Sequence, residues 1–177
     1  MTRAPRCSSA RPCPTRRVAA RWRRSSSGAR WPPSTARITA CGGHCAPLKA
    51  DGYAHHPYDF ERAPKRSKRG KDDATIGSLR NLTTALSKLS RSGALRGTSR
   101  LYLTEYGYLA TGRRGLSERK RASYLRQGLR QARHNRHVKE VIQYLLVQPS
   151  NGSTFTTGIV APSGNPLPSF AVLRAAA

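Results

Sequence analysis

Leu79, Leu82, Leu86 and Leu89 follow one another at steps of three and four residues, which puts a single apolar stripe on a helix over about residues 76–92. Gly93 follows, at a position where a helix end favours a residue free to take positive φ. Residues 100–104 (RLYLT) are compact and apolar, and predict a strand that ends at Glu105-Tyr106-Gly107-Tyr108. After a Gly/Arg loop over 109–116, Ser117 is placed to cap a helix running to about Asn135. Tyr124, Leu125, Gly128, Leu129 and Ala132 share one face of it. Residues 138–147 (VKEVIQYLLV) read as a buried strand, and 167–177 as a short closing helix. Upstream, residues 51–58 (DGYAHHPY) suit a strand that runs into a loop at Pro57. Residues 60–75 then form a long polar surface loop holding Lys65, Arg66, Lys68, Arg69 and Lys71.

The order strand–helix, three times over, is that of βα units on a parallel sheet. Three units leave two unpaired sheet edges, which marks this part of the chain as a piece of a larger architecture. Before residue 45 no period is visible. Residues 1–45 hold ten Arg, no Lys and no acidic residue, and contain all four cysteines of the chain. Its apolar content is too small to offset chain entropy, so residues 1–44 are expected to be disordered. Arg, Pro, Ala, Ser and Gly are also what GC-rich DNA yields out of frame, and that origin is favoured over a functional basic arm. Residues 45–177 are expected to form the folded domain.

The net charge of +25 in 177 residues predicts nonspecific attraction to polyanions through the Arg-rich segment. No run approaches the ~20 apolar residues of a membrane span, and no secretory apolar core is visible, so the sequence assigns no compartment. Cys7, Cys13, Cys41, His44 and Cys45 do not have the spacing of a familiar zinc finger. No metal or cofactor is assigned.

Chemistry concentrates where strands end. In parallel βα architectures catalytic side chains project from the C-terminal ends of strands. One strand here ends in His55-His56-Pro57-Tyr58, another in Thr104-Glu105-Tyr106-Gly107. Glu105, between an apolar strand and a glycine, is the leading candidate for a functional carboxylate. The plainer alternative is a surface ion pair with Arg113 or Arg114.

The succession DGYAHHPY, then YLTEYGY some fifty residues on, then VIQYLLV and TGIV, resembles strands six to eight of cellulase-like retaining glycoside hydrolases, the (β/α)8 barrels of families 5 and 39. The resemblance covers about residues 45–177. It implies the C-terminal part of a TIM barrel, a full one needing about 250 residues. It also implies an oligo- or polysaccharide substrate for the intact protein, and relatives that are often secreted. Residue by residue, it makes Glu105 the nucleophile and sets His56 and Tyr58 beside it. Tyr106 and Tyr144 become sugar contacts, Tyr144 in place of the tryptophan common at the end of strand eight.

One part is missing. Retention needs a second carboxyl about 5–5.5 Å from the first, which the resemblance would place in an Asn-Glu pair on strand four. No Asn-Glu occurs in this chain. The expectation is therefore a glycosidase by kinship that lacks its general acid/base and has negligible glycosidase activity alone. A small basic nucleic-acid-binding protein is the alternative, and would show a steep salt dependence.

Overall fold

A computed structural model describes residues 46–66, 70, 72–97, 99–150 and 152–176. The Arg-rich segment, the four cysteines, and Lys68, Arg69 and Lys71 of the basic loop lie outside the described residues. The described chain is a mixed α/β fold. Strands β1 (Leu48–Ala50), β2 (Tyr53–His55), β3 (Leu95–Gly97), β4 (Leu101–Tyr106) and β5 (Val138–Gln143) alternate with helices α1 (Leu79–Arg91), α2 (Glu118–Arg133) and α3 (Pro168–Arg174). All strand pairings are parallel: β1 beside β3, and β2–β4–β5 as a three-stranded sheet with β4 in the middle. Among the described residues no helix is long and apolar enough to cross a membrane.

The core forms where the apolar stripes meet. Leu79, Leu82 and Leu86 of α1 and Ala122, Leu125 and Ala132 of α2 pack with Leu101, Leu103 and Tyr106 of β4. The three β4 residues are fully enclosed, as a central strand covered by helices requires. α1 ends at Arg91, and Gly93 takes φ +75° in the turn that follows. α2 passes close to the sheet at Gly128: a Cβ there would sit 2.1 Å from the Tyr106 hydroxyl.

Three sequence expectations change. β4 runs on to Tyr106, so Glu105 lies within the strand and not after it. Strands β1 and β3 were not foreseen, because three residues are too few to show an alternation. The strand expected over 138–147 stops at Gln143 and is not buried: Lys139, Glu140 and Ile142 are exposed. The cause is position, since β5 pairs with β4 on one side only among the described residues and so is open to solvent like an edge.

Candidate active site

Burial along β4 follows Leu101 and Leu103 and then Tyr106, skipping Glu105. Strict alternation would put Glu105 with the two leucines against the helices. The β4–β5 register slips between Leu103 and Tyr106. An irregularity of this kind reverses the faces of the residues beyond it. Tyr106 thereby joins the leucines in the core, and Glu105 is turned out to the other side with a side chain 32% exposed.

β2, paired in register with β4, brings its own exit alongside. Tyr58 donates its hydroxyl proton to Glu105 Oε2 at 3.2 Å, and His56 Nδ1 lies 3.4 Å from the same oxygen. Burial, and then the Glu105 charge, push the Tyr58 phenol well above its ordinary pKa, which keeps it a protonated donor. His55 points away: its Nε2 donates to the Ala74 carbonyl and ties β2 to the loop before α1. Burial lowers its pKa, with the Ala74 hydrogen bond opposing and the charge of His56 adding to the shift. In place of an ion pair with Arg113 or Arg114, Glu105 is met by His56 and Tyr58, and Arg114 pairs with Glu61 at 3.1 Å.

Around this group lies a cluster of four rings. Tyr58 stacks on Phe60 at 4.8 Å between centroids, and Phe155 sets its edge against Tyr58 at 5.5 Å, Phe60 at 5.7 Å and Tyr144 at 5.5 Å. Tyr144, just past the end of β5, is partly exposed. Phe60 and Phe155 carry no sequence signal, since they sit in loops that only the tertiary fold brings together. Tyr106 belongs elsewhere. Its ring is enclosed beneath α2, its hydroxyl donates to the Tyr108 hydroxyl at 3.2 Å, and no face remains for a sugar. The reading of Tyr106 as a substrate contact is corrected by the slip in β4.

Arg121, also unforeseen, anchors the loops behind the site. It is 2% exposed. Its Nε donates to the Tyr108 carbonyl at 2.9 Å, and Nη2 donates to the carbonyls of Thr157 at 2.8 Å and Gly158 at 2.6 Å. Nη1 pairs with Glu118, whose other oxygen accepts from Ser169 on α3 at 3.2 Å. The segment that carries Phe155 is thus fixed to the end of β4 by a buried guanidinium. A concavity of about 720 Å³ lies away from Glu105, between α2, β5 and α3. Its lining joins Leu129, Val138 and Val141 to basic side chains and a single carboxylate, Glu140, which has no partner like the Tyr58 and His56 that meet Glu105, so the chemistry is assigned to the strand ends. Among the described residues no group of three His, Cys, Asp or Glu is placed to hold a metal ion.

No protein-family model and no curated protein matches the sequence. Among solved structures, the chain is similar to a family 39 glycoside hydrolase from the gut symbiont Bacteroides cellulosilyticus. The TM-score is 0.54 at 21% identity, over 71% of this chain and 27% of that one. GH5_18 from Bifidobacterium longum subsp. longum, solved in complex with Manb1-4GlcNAc, matches with a TM-score of 0.45 at 16% identity, over 71% of this chain and 30% of that one. GH5_18 from Bifidobacterium longum subsp. infantis gives a TM-score of 0.45 at 20% identity, with the same two coverages. The likeness to the family 39 enzyme is one of fold, and the chain spans about a quarter of that enzyme's length.

Proposed function

We propose that Glu105 is the nucleophile of a retaining glycosidase site, and that residues 45–177 are the last three βα units of a (β/α)8 barrel acting on oligo- or polysaccharides. The observation that carries this reading is the convergence of Tyr58 and His56 on one oxygen of Glu105, at parallel strand ends, in a chain whose fold is similar to part of a family 39 glycoside hydrolase. A carboxylate so held keeps one oxygen hydrogen-bonded while the other is presented to an anomeric carbon. Tyr58 and His56 orient it, and Tyr144 offers a partly exposed ring face for a sugar.

Dinitrophenyl deoxyfluoroglycosides of β-glucose, β-xylose and β-mannose test this directly. Fluorine next to the anomeric carbon slows both chemical steps, and the activated leaving group restores only the first, so the glycosyl-enzyme accumulates. The expected result is one deoxyfluoroglycosyl group per chain, located on Glu105 by peptide mass mapping and absent in Glu105→Gln. Mapping to any other residue, or no labelling by all three donors, overturns the proposal.

A further inference from the structure

The chain has eight acidic residues, all of them between 51 and 140 and all described, so any partner for Glu105 from this chain must be one of the other seven. Each is placed or engaged elsewhere. Asp51 precedes β2, at the opposite end of that strand from Tyr58. Asp59 is 5% exposed, accepts from the Glu61 amide, and acts on the buried Tyr106–Tyr108 side. Glu61 is paired with Arg114, and Glu118 with Arg121. Asp72 and Asp73 lie in the turn entering α1, where the Asp73 carbonyl accepts from Ser78 and Asn81. Glu140 sits beside Tyr102, well before the exit of β5. The groups that touch Glu105 are a phenol kept protonated by burial and an imidazole, and both address the carboxylate itself.

From this arrangement we infer that the chain as it stands is a one-carboxylate glycosyl-transfer site. It takes glycosyl donors whose leaving group needs no protonation, and passes the sugar to small anionic nucleophiles such as azide or a thiolate. The inference rests on the reading of Glu105 as nucleophile and adds the donor and acceptor class. In the first step a Glu105 oxygen forms a bond to the anomeric carbon, and the carbon–oxygen bond to dinitrophenolate breaks, the phenolate leaving with its electron pair. In the second, azide forms a bond to the same carbon, and Glu105 departs as the carboxylate. No proton moves in either step, so no general acid or base is required. Two inversions give net retention, a β-glycosyl azide from a β-donor. Water is a poor acceptor here because nothing takes its proton, and ordinary alkyl glycosides are poor donors because nothing supplies one. General acid–base assistance contributes typically about 10²–10⁴-fold, and that factor is what alkyl glycosides forfeit.

The test uses the full chain with dinitrophenyl and methyl β-glycosides of the same three sugars, with and without sodium azide, following dinitrophenolate release and product configuration by NMR. The expected result is azide-dependent release, raised roughly ten-fold or more, with β-glycosyl azide as product and no cleavage of the methyl glycosides. Glu105→Ala, in which azide can occupy the vacated space and displace directly, is expected to give the α-azide; that product also shows that the variant folds. Labelling of Glu105 by the deoxyfluoro donors without any β-azide formation overturns the inference and leaves the nucleophile reading standing. So does cleavage of methyl glycosides at a rate comparable with the dinitrophenyl ones, because a general acid must then be at work. No labelling and no release with any donor removes both.

Discussion

Glu105, Tyr58 and His56 meet because two parallel strands end side by side, yet their contributions differ. Tyr58 gives the charge-assisted hydrogen bond, at 3.2 Å, to a carboxylate only partly withdrawn from water. Tyr58→Phe is expected to slow deoxyfluoroglycosyl labelling roughly ten-fold while changing the unfolding free energy by less than about 1.5 kcal/mol. Comparing labelling rates with urea midpoints separates these two effects. His55 behaves in the opposite way. Its folded pKa lies below the ordinary value of 6.5, so the unfolded chain binds the proton more readily. Stability is therefore full above about 6.5 and falls as pH drops below it, towards the folded value. Urea midpoints measured down a pH series should show this loss, and His55→Gln should flatten it. Glu105, His56 and Tyr58 were legible in the sequence because each lies within a strand-end motif. Phe60 and Phe155 were not, because nothing local says that residues nearly a hundred positions apart will meet ring to edge. Tyr106 misled because a strand's alternation is legible in sequence and its interruption is not.

At the scale of elements, the helices were the legible part. Stripes at three- and four-residue steps located α1 and α2 to within a turn, since one buried face is what a helix on a sheet requires. The fit between α2 and β4 is closer than that pattern reveals. Gly128→Ala would drive a methyl into the Tyr106 hydroxyl. The mutation is expected to cost about 1–3 kcal/mol by overpacking, despite a helix-propensity gain of about 0.8–1.0 kcal/mol. In a Tyr106→Phe background, which removes the nearest atom, the cost should shrink, and a double-mutant cycle reads the difference. Arg121 links α2 to the residues just beyond β4, to the loop at Thr157 and Gly158 and, through Glu118, to α3. Arg121→Ala leaves the carbonyls of Tyr108, Thr157 and Gly158 without their buried donor and is expected to cost about 3–5 kcal/mol in chemical denaturation. Sequence reasoning had no access to this residue, since one arginine among 33 basic side chains carries no mark of being buried.

At the scale of the molecule, the three-stranded sheet is open along β5 among the described residues. Ile142, Tyr144, Leu146 and Val147 are exposed on or just beyond that strand, and the nearby concavity between α2, β5 and α3 has an apolar floor. The openness was expected from three βα units, whereas its location became visible only with the sheet order. An exposed apolar edge of this kind favours self-association. The chain is expected to bind a hydrophobic dye such as ANS and to aggregate as its concentration rises. Leu146→Glu should reduce both while changing stability by no more than about 0.5 kcal/mol. The guanidinium of Arg121 has another consequence, readable in deuterium uptake. Residues 155–160 contain no strand, yet their carbonyls are clasped by Arg121, and the amides of Gly158 and Ile159 donate to Gln148 and Leu146. The amide protons of Gly158, Ile159 and Val160 should exchange as slowly as those of β4, far behind the exposed turn at 112–113, so that a strongly protected loop borders the candidate site.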